Sequence, residues 1–161
     1  LENSIRRAAI LAQSDGRKMI QEMDLPASIQ ETARQAMNIQ YQSLDEQILQ
    51  TLRSLKFSHS SISQTAQALG NKDRGTITEY LRGFCFEHLV QSNFDIHAAT
   101  KSLAATDEPD VIEKVESKMN TYIDKVQNNL DSPTLYKSLP KKYHKSLDVI
   151  IQRVKTKGKL I

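Results

Sequence analysis

Tryptophan is missing from these 161 residues, cysteine occurs once, and glycine and proline number only five and four. The lone thiol, Cys85, excludes an internal disulfide framework and fits a reducing compartment. So few chain breakers, beside plentiful Gln, Ser, Lys and Leu, favour helices over strands. No apolar run approaches the ~20 residues that span a bilayer, and the N-terminus lacks a signal-peptide pattern. The expectation is a helical, cytoplasmic protein with no membrane partner. His59, His88, His97 and His144 are scattered, without the spacing that assembles a metal site. There is no Gly-x-x-x-x-Gly-Lys-Ser/Thr phosphate loop to cradle a nucleotide, and no catalytic constellation. Neither metal, cofactor nor enzymatic activity is expected of this chain.

Net charge is +3, too small to argue for nucleic acid alone, but its distribution is uneven. Residues 1–93 hold ten basic and ten acidic groups, 94–130 hold four and seven, and 131–161 hold eight and two. The basic residues Lys141, Lys142, Lys145, Arg153, Lys155, Lys157 and Lys159 read either as a tail adding sequence-independent phosphate attraction or as a solvated, frayed terminus. Asp107, Glu108, Asp110, Glu113 and Glu116 gather around the start of a helix, where acidic groups suit the positive end of the dipole.

Apolar periodicity predicts helices over 1–13, 28–41, 44–56, 61–69, 73–93, 94–104, 109–129, 133–138 and 141–156. Ser14-Asp15-Gly16 and Asp24-Leu25-Pro26 read as breaks. Ser43 with Glu46, and Ser61 with Gln64, have the spacing of capping boxes. No alternating run supports a strand, so the fold class expected is an all-α helical bundle. A shift of 34 residues lays Ile62 on Ile96, Leu69 on Leu103, Ile77 on Val111 and Leu81 on Val115. A second, degenerate helix–turn–helix pair packed like the first would have this spacing.

Function concentrates in Ser61–Arg82. A helix-turn-helix needs a short first helix with a small residue at the crossing, supplied by Ala66. It needs a tight turn, which Gly70 permits because glycine accepts positive φ cheaply. It then needs a second helix, apolar within and rich in donors at its outer N-terminal face. Ile77, Leu81, Phe84 and Cys85 supply the inner face; Lys72, Arg74, Thr76, Thr78 and Arg82 are the candidate DNA-binding residues. Glu79 is the opposing charge on that face. The bland reading of the segment is an ordinary helical hairpin with a solvated polar side.

The run Ala66-Gln67-Ala68-Leu69-Gly70, followed by Arg74-Gly75-Thr76-Ile77, resembles the helix-turn-helix of the Fis family. It differs by one extra residue between Gly70 and Arg74, and by Glu79 where basic residues are usual. The stretch Leu1-Glu2-Asn3-Ser4-Ile5-Arg6-Arg7-Ala8-Ala9-Ile10-Leu11-Ala12, with Asp24-Leu25-Pro26, resembles the end of the ATPase domain in sigma-54-dependent activators of the NtrC type. In that family a Fis-like domain follows the ATPase lid. The resemblance implies a C-terminal fragment in three parts: lid end and linker over 1–26, a Fis-like dimerisation and helix-turn-helix domain over 27–93, and additional helices over 94–161. It further implies double-stranded DNA as partner, a homodimer formed through the helices 28–41 and 44–56, and a signal-responsive parent ATPase that engages sigma-54 RNA polymerase. The alternative is a helical protein-interaction or oligomerisation module that does not bind DNA.

Overall fold

The computed structural model describes residues 2–32 and 43–158. The architecture is an all-α bundle with no strand among the described residues. No described helix is long and apolar enough to cross a membrane. The chain divides into two compact units, Leu1–Ser43 and Leu44–Ile161.

In the first unit, α1 spans Glu2–Ser14 and buries Ala8 and Ala12. It ends where Gly16 turns left-handed (φ +72°) and the Arg17 amide reaches back to the Ala12 carbonyl at 2.8 Å. The Arg17 guanidinium then forks onto Asp24, at 2.8 and 2.7 Å, and one nitrogen also reaches Asp15. These bonds, with the Gln21 amide, hold the Asp24 carboxyl below the usual carboxylate range. Residues 27–32 are helical; the rest of the helix expected over 28–41, with Ala33, Ala36 and Met37, lies outside the described residues.

The second unit contains α2 (Leu44–Ser54), α3 (Ser61–Ala68), α4 (Arg74–Gln91), α5 (Ile96–Ala104), α6 (Pro109–Gln127), the short α7 (Thr134–Lys137) and α8 (His144–Lys157). A 3₁₀ turn over Lys141–Tyr143 leads into α8. Helix α4 lies at the centre, packed by α2, α3, α5, α6, α8 and that turn. Near its middle it is covered on all sides: Gly83, Phe84, Cys85 and Phe86 are consecutive buried residues. Helices on both sides of Asn93 therefore share one apolar core, from Ile48 in α2 to Val154 in α8. Each large aliphatic or aromatic side chain buried there contributes about 1.5–3 kcal/mol.

The 34-residue correspondence is visible in this core. The first pair has helices of 8 and 18 residues, the second of 9 and 19. Ile77, Leu81, Cys85 and Leu89 are buried in α4, and their counterparts Val111, Val115, Met119 and Ile123 are buried in α6. Asn71 and its counterpart Ala105 are both left-handed, at φ +57° and +52°.

One capping box is displaced. Ser60 occupies the N-cap position of α3 without a side-chain cap bond to the helix backbone, and the Gln64 side-chain amide donates to its hydroxyl at 2.8 Å. Ser61 faces the core with Thr65 one turn on, both wholly buried and without a side-chain hydrogen-bond partner. The apolar register decides this: with Ala66 and Thr65 inward, Ser61 is carried inward too.

Candidate nucleic-acid interface

Between α3 and α4 the chain reverses through two left-handed residues, Gly70 (φ +79°) and Asn71. The Lys72 amide reaches back to the Ala66 carbonyl at 2.9 Å, closing the turn. Asp73 then caps α4, its carboxylate accepting from the Thr76 amide at 3.2 Å. Gly75 makes room for that carboxylate, because a Cβ there would lie 2.5 Å from Asp73 Oδ2.

Lys72 and Arg74 are exposed and have no carboxylate partner among the described residues. Arg74, Thr78 and Arg82 recur every four residues and so form one stripe along α4. Thr76 lies about 160° round the helix from Arg74 at ~100° per residue, off the stripe and half-buried. Thr78 donates its hydroxyl proton to the Arg74 carbonyl at 2.9 Å, leaving only oxygen lone pairs to offer. Arg82 is half-buried: its Nη1 donates to the Ser138 carbonyl at 2.6 Å, and its guanidinium lies 5.2 Å from the centre of the Tyr122 ring. Among the described residues, Lys72 and Arg74 are thus unpaired with any carboxylate at the tip, while Arg82 is held inside the bundle's own contacts. Asp73 and Glu79 are the acidic groups closest in sequence to this face.

Several residues at this site are not signalled by the helix-turn-helix pattern. Tyr143 stacks into the notch at Gly83, where an added Cβ would meet its ring at 2.2 Å. Its ring meets Phe84 edge-on at 5.8 Å and Tyr80 at 6.3 Å. Lys142 lies over the Tyr143 and Tyr80 rings, at 4.8 and 5.7 Å, and pairs with Asp45 at the start of α2. A glycine inside an otherwise strong helix was the one available sign that another group approaches here.

Of the basic C-terminal residues, Lys142, Arg153 and Lys155 make contacts with this packed region, Lys141, Lys145 and Lys157 are exposed, and Lys159 lies outside the described residues. The inner face of α8 buries Leu147, Ile150, Ile151 and Val154, Arg153 lies 4.1 Å over the Phe94 ring, and Lys155 pairs with Asp131. Cys85 is fully buried, which pushes its thiol up to about 12 and leaves it protonated at neutral pH. No cluster of three metal-ligating side chains occurs among the described residues.

The corresponding surface of the second pair has the opposite charge. Counterparts of Arg74, Thr76 and Arg82 are Glu108, Asp110 and Glu116. Glu108 binds Lys56 through both oxygens, at 2.8 and 2.9 Å, and Asp107 pairs with Lys101 at 2.6 Å.

Compared with protein-family models, with curated proteins and with solved structures, the chain matches none.

Proposed function

We propose that this chain is the DNA-binding C-terminal part of a sigma-54-dependent activator, reading duplex DNA with the N-terminal turns of α4. The observation that carries this reading is the pair Lys72 and Arg74: two exposed cations, without a carboxylate partner among the described residues, at the tip of a helix presented by a tight turn. Arg74 is the base reader, since arginine's fork suits a guanine edge. Lys72 holds a phosphate, and Thr78 offers an acceptor to a base amine. The fragment acts without cofactor and not as an enzyme, in the cytoplasm, as a homodimer whose two half-sites multiply a small individual affinity. The parent's ATPase supplies the contact with sigma-54 RNA polymerase.

A second reading, a module that binds protein, is favoured by one observation: Ile10, Met19 and Met23 in the first unit are 66%, 78% and 74% exposed. The two readings separate by titration of the chain into a labelled duplex at two salt concentrations. DNA binding weakens steeply with salt, and Arg74→Ala abolishes discrimination between duplexes while leaving helix content unchanged. Duplex binding that is absent at low salt, from a folded chain, overturns the DNA reading.

A further inference from the structure

Arg82 ends the stripe that starts at Arg74, yet its Nη1 is committed to Ser138 and its guanidinium lies over the Tyr122 ring. A guanidinium held this way cannot reach into a groove to search for a base edge. It is well placed for a different task, because a planar, prepositioned fork with N–H groups to spare suits an anion. Arg82 lines a cavity of about 360 Å³, together with Lys125 from the end of α6 and Asn129, Thr134 and Ser138 from the segment that follows. Among the described residues, no carboxylate lines this cavity. Lys125 is exposed and has no carboxylate partner among the described residues. Other hollows along α6 contain acids: Glu113, Glu116 and Asp124 in one, Asp107 with the same two glutamates and Lys101 in another, and Asp110 and Glu113 beside Lys114 and Lys118 in a third.

The position also fits. Arg74 and Arg82 are eight residues apart, which is about 12 Å along a helix axis at ~1.5 Å per residue. That matches the major groove of B-DNA, about 12 Å wide. With Arg74 at a base edge, a group about 12 Å further along α4 comes within range of the phosphate backbone flanking the groove.

We propose that Arg82 and Lys125 together hold a backbone phosphate of the duplex that Arg74 reads, so that the chain's C-terminal extension forms part of the DNA-binding surface. The inference rests on the DNA reading above. Its test is anisotropy of the full chain on a preferred and an unrelated labelled duplex, across about 50 to 200 mM salt, comparing wild type, Lys125→Gln and Arg74→Ala. Lys125 is an exposed surface residue, and circular dichroism is the check that the variant folds. The expected result is that Lys125→Gln weakens both duplexes by the same factor and lowers the slope of log K against log salt by about 0.9, one phosphate's worth. Arg74→Ala instead removes the preference. An unchanged slope in Lys125→Gln, with Arg74→Ala still losing preference, overturns the phosphate site and leaves the DNA reading standing. Loss of preference in Lys125→Gln makes it a base contact and also overturns the proposal. Inorganic phosphate alone, shifting the Asn129 and Thr134 amide resonances while the slope stays unchanged, marks a free-anion site and overturns it likewise. Absence of duplex binding by wild type overturns both.

Discussion

The pairs α3–α4 and α5–α6 are built on the same buried register, yet their outer faces are opposite in charge. Both present a short helix, a left-handed turn and a long helix with four inward residues in matching positions. The first leaves Lys72 and Arg74 without a carboxylate partner among the described residues; the second replaces Arg74 and Arg82 with Glu108 and Glu116 and ties Glu108 to Lys56. A packing solution can therefore be used twice while the charge at the start of the long helix reverses. Inside the bundle the demand is volume and periodicity, which isoleucine, valine and methionine all satisfy. Outside, a single reversal of charge changes what the face can approach.

The largest effect that would sharpen this contrast lies at Gly83 and its counterpart Ser117. Gly83→Ala drives a methyl into the Tyr143 ring and should lower stability by about 3 kcal/mol, whereas Ser117 is exposed and Ser117→Ala should be nearly neutral. Urea midpoints of the two variants decide it, and equal shifts would show that the notch does not hold the C-terminal segment. Next comes recognition: Arg74→Ala should remove about 1–3 kcal/mol of discrimination between duplexes, while Glu108→Ala should leave duplex affinity unaffected. Loss of affinity in Glu108→Ala would mean that the acidic copy also faces DNA.

A third difference concerns the counterparts His88 and Tyr122. Burial, then the nearby Arg53 cation, lowers the His88 pKa, and its Nδ1 lies 3.0 Å from the Ser102 hydroxyl. With the folded value below the unfolded one of about 6.5, the unfolded chain takes up the proton first. Stability from this group is fully present above about pH 6.5 and falls as pH drops from there towards the folded value. Melting temperature should therefore decline on mild acidification in wild type, and that part of the decline should vanish in His88→Gln. The smallest effect lies in the turns. Ala105 occupies a left-handed conformation that costs a side-chain-bearing residue about 1–2 kcal/mol, so Ala105→Gly should stabilise by about 0.5–1 kcal/mol after the entropic loss. Calorimetry showing destabilisation would refute a strained turn.

The helices and the repeated register were legible because periodicity is local: Ile77, Leu81, Cys85 and Leu89 announce their own face. Asp73 at the start of α4 and Gly70 in its turn were likewise local signals. The start of α3 was misplaced by one residue because Ser60 and Ser61 are chemically alike and only the packing of Thr65 and Ala66 chooses which stands at the N-cap position. The state of Arg82 was illegible for another reason. Its partner is the carbonyl of Ser138, 56 residues away, and backbone oxygens carry no sequence identity. Tyr143 in the Gly83 notch is equally non-local, so a pattern that fits Ser61–Arg82 could not include the segment that completes its surroundings.

Cys85 sits midway along the most enclosed stretch of α4, and it is the chain's single thiol. A thiol-specific reagent therefore has one target, and it reaches that target only when the bundle around α4 opens. The rate at which the chain becomes labelled is a clock for that opening, read without any introduced probe. Slowing of the clock by added duplex DNA would report, in units of time, how firmly a ligand at the helix tip closes the bundle behind it.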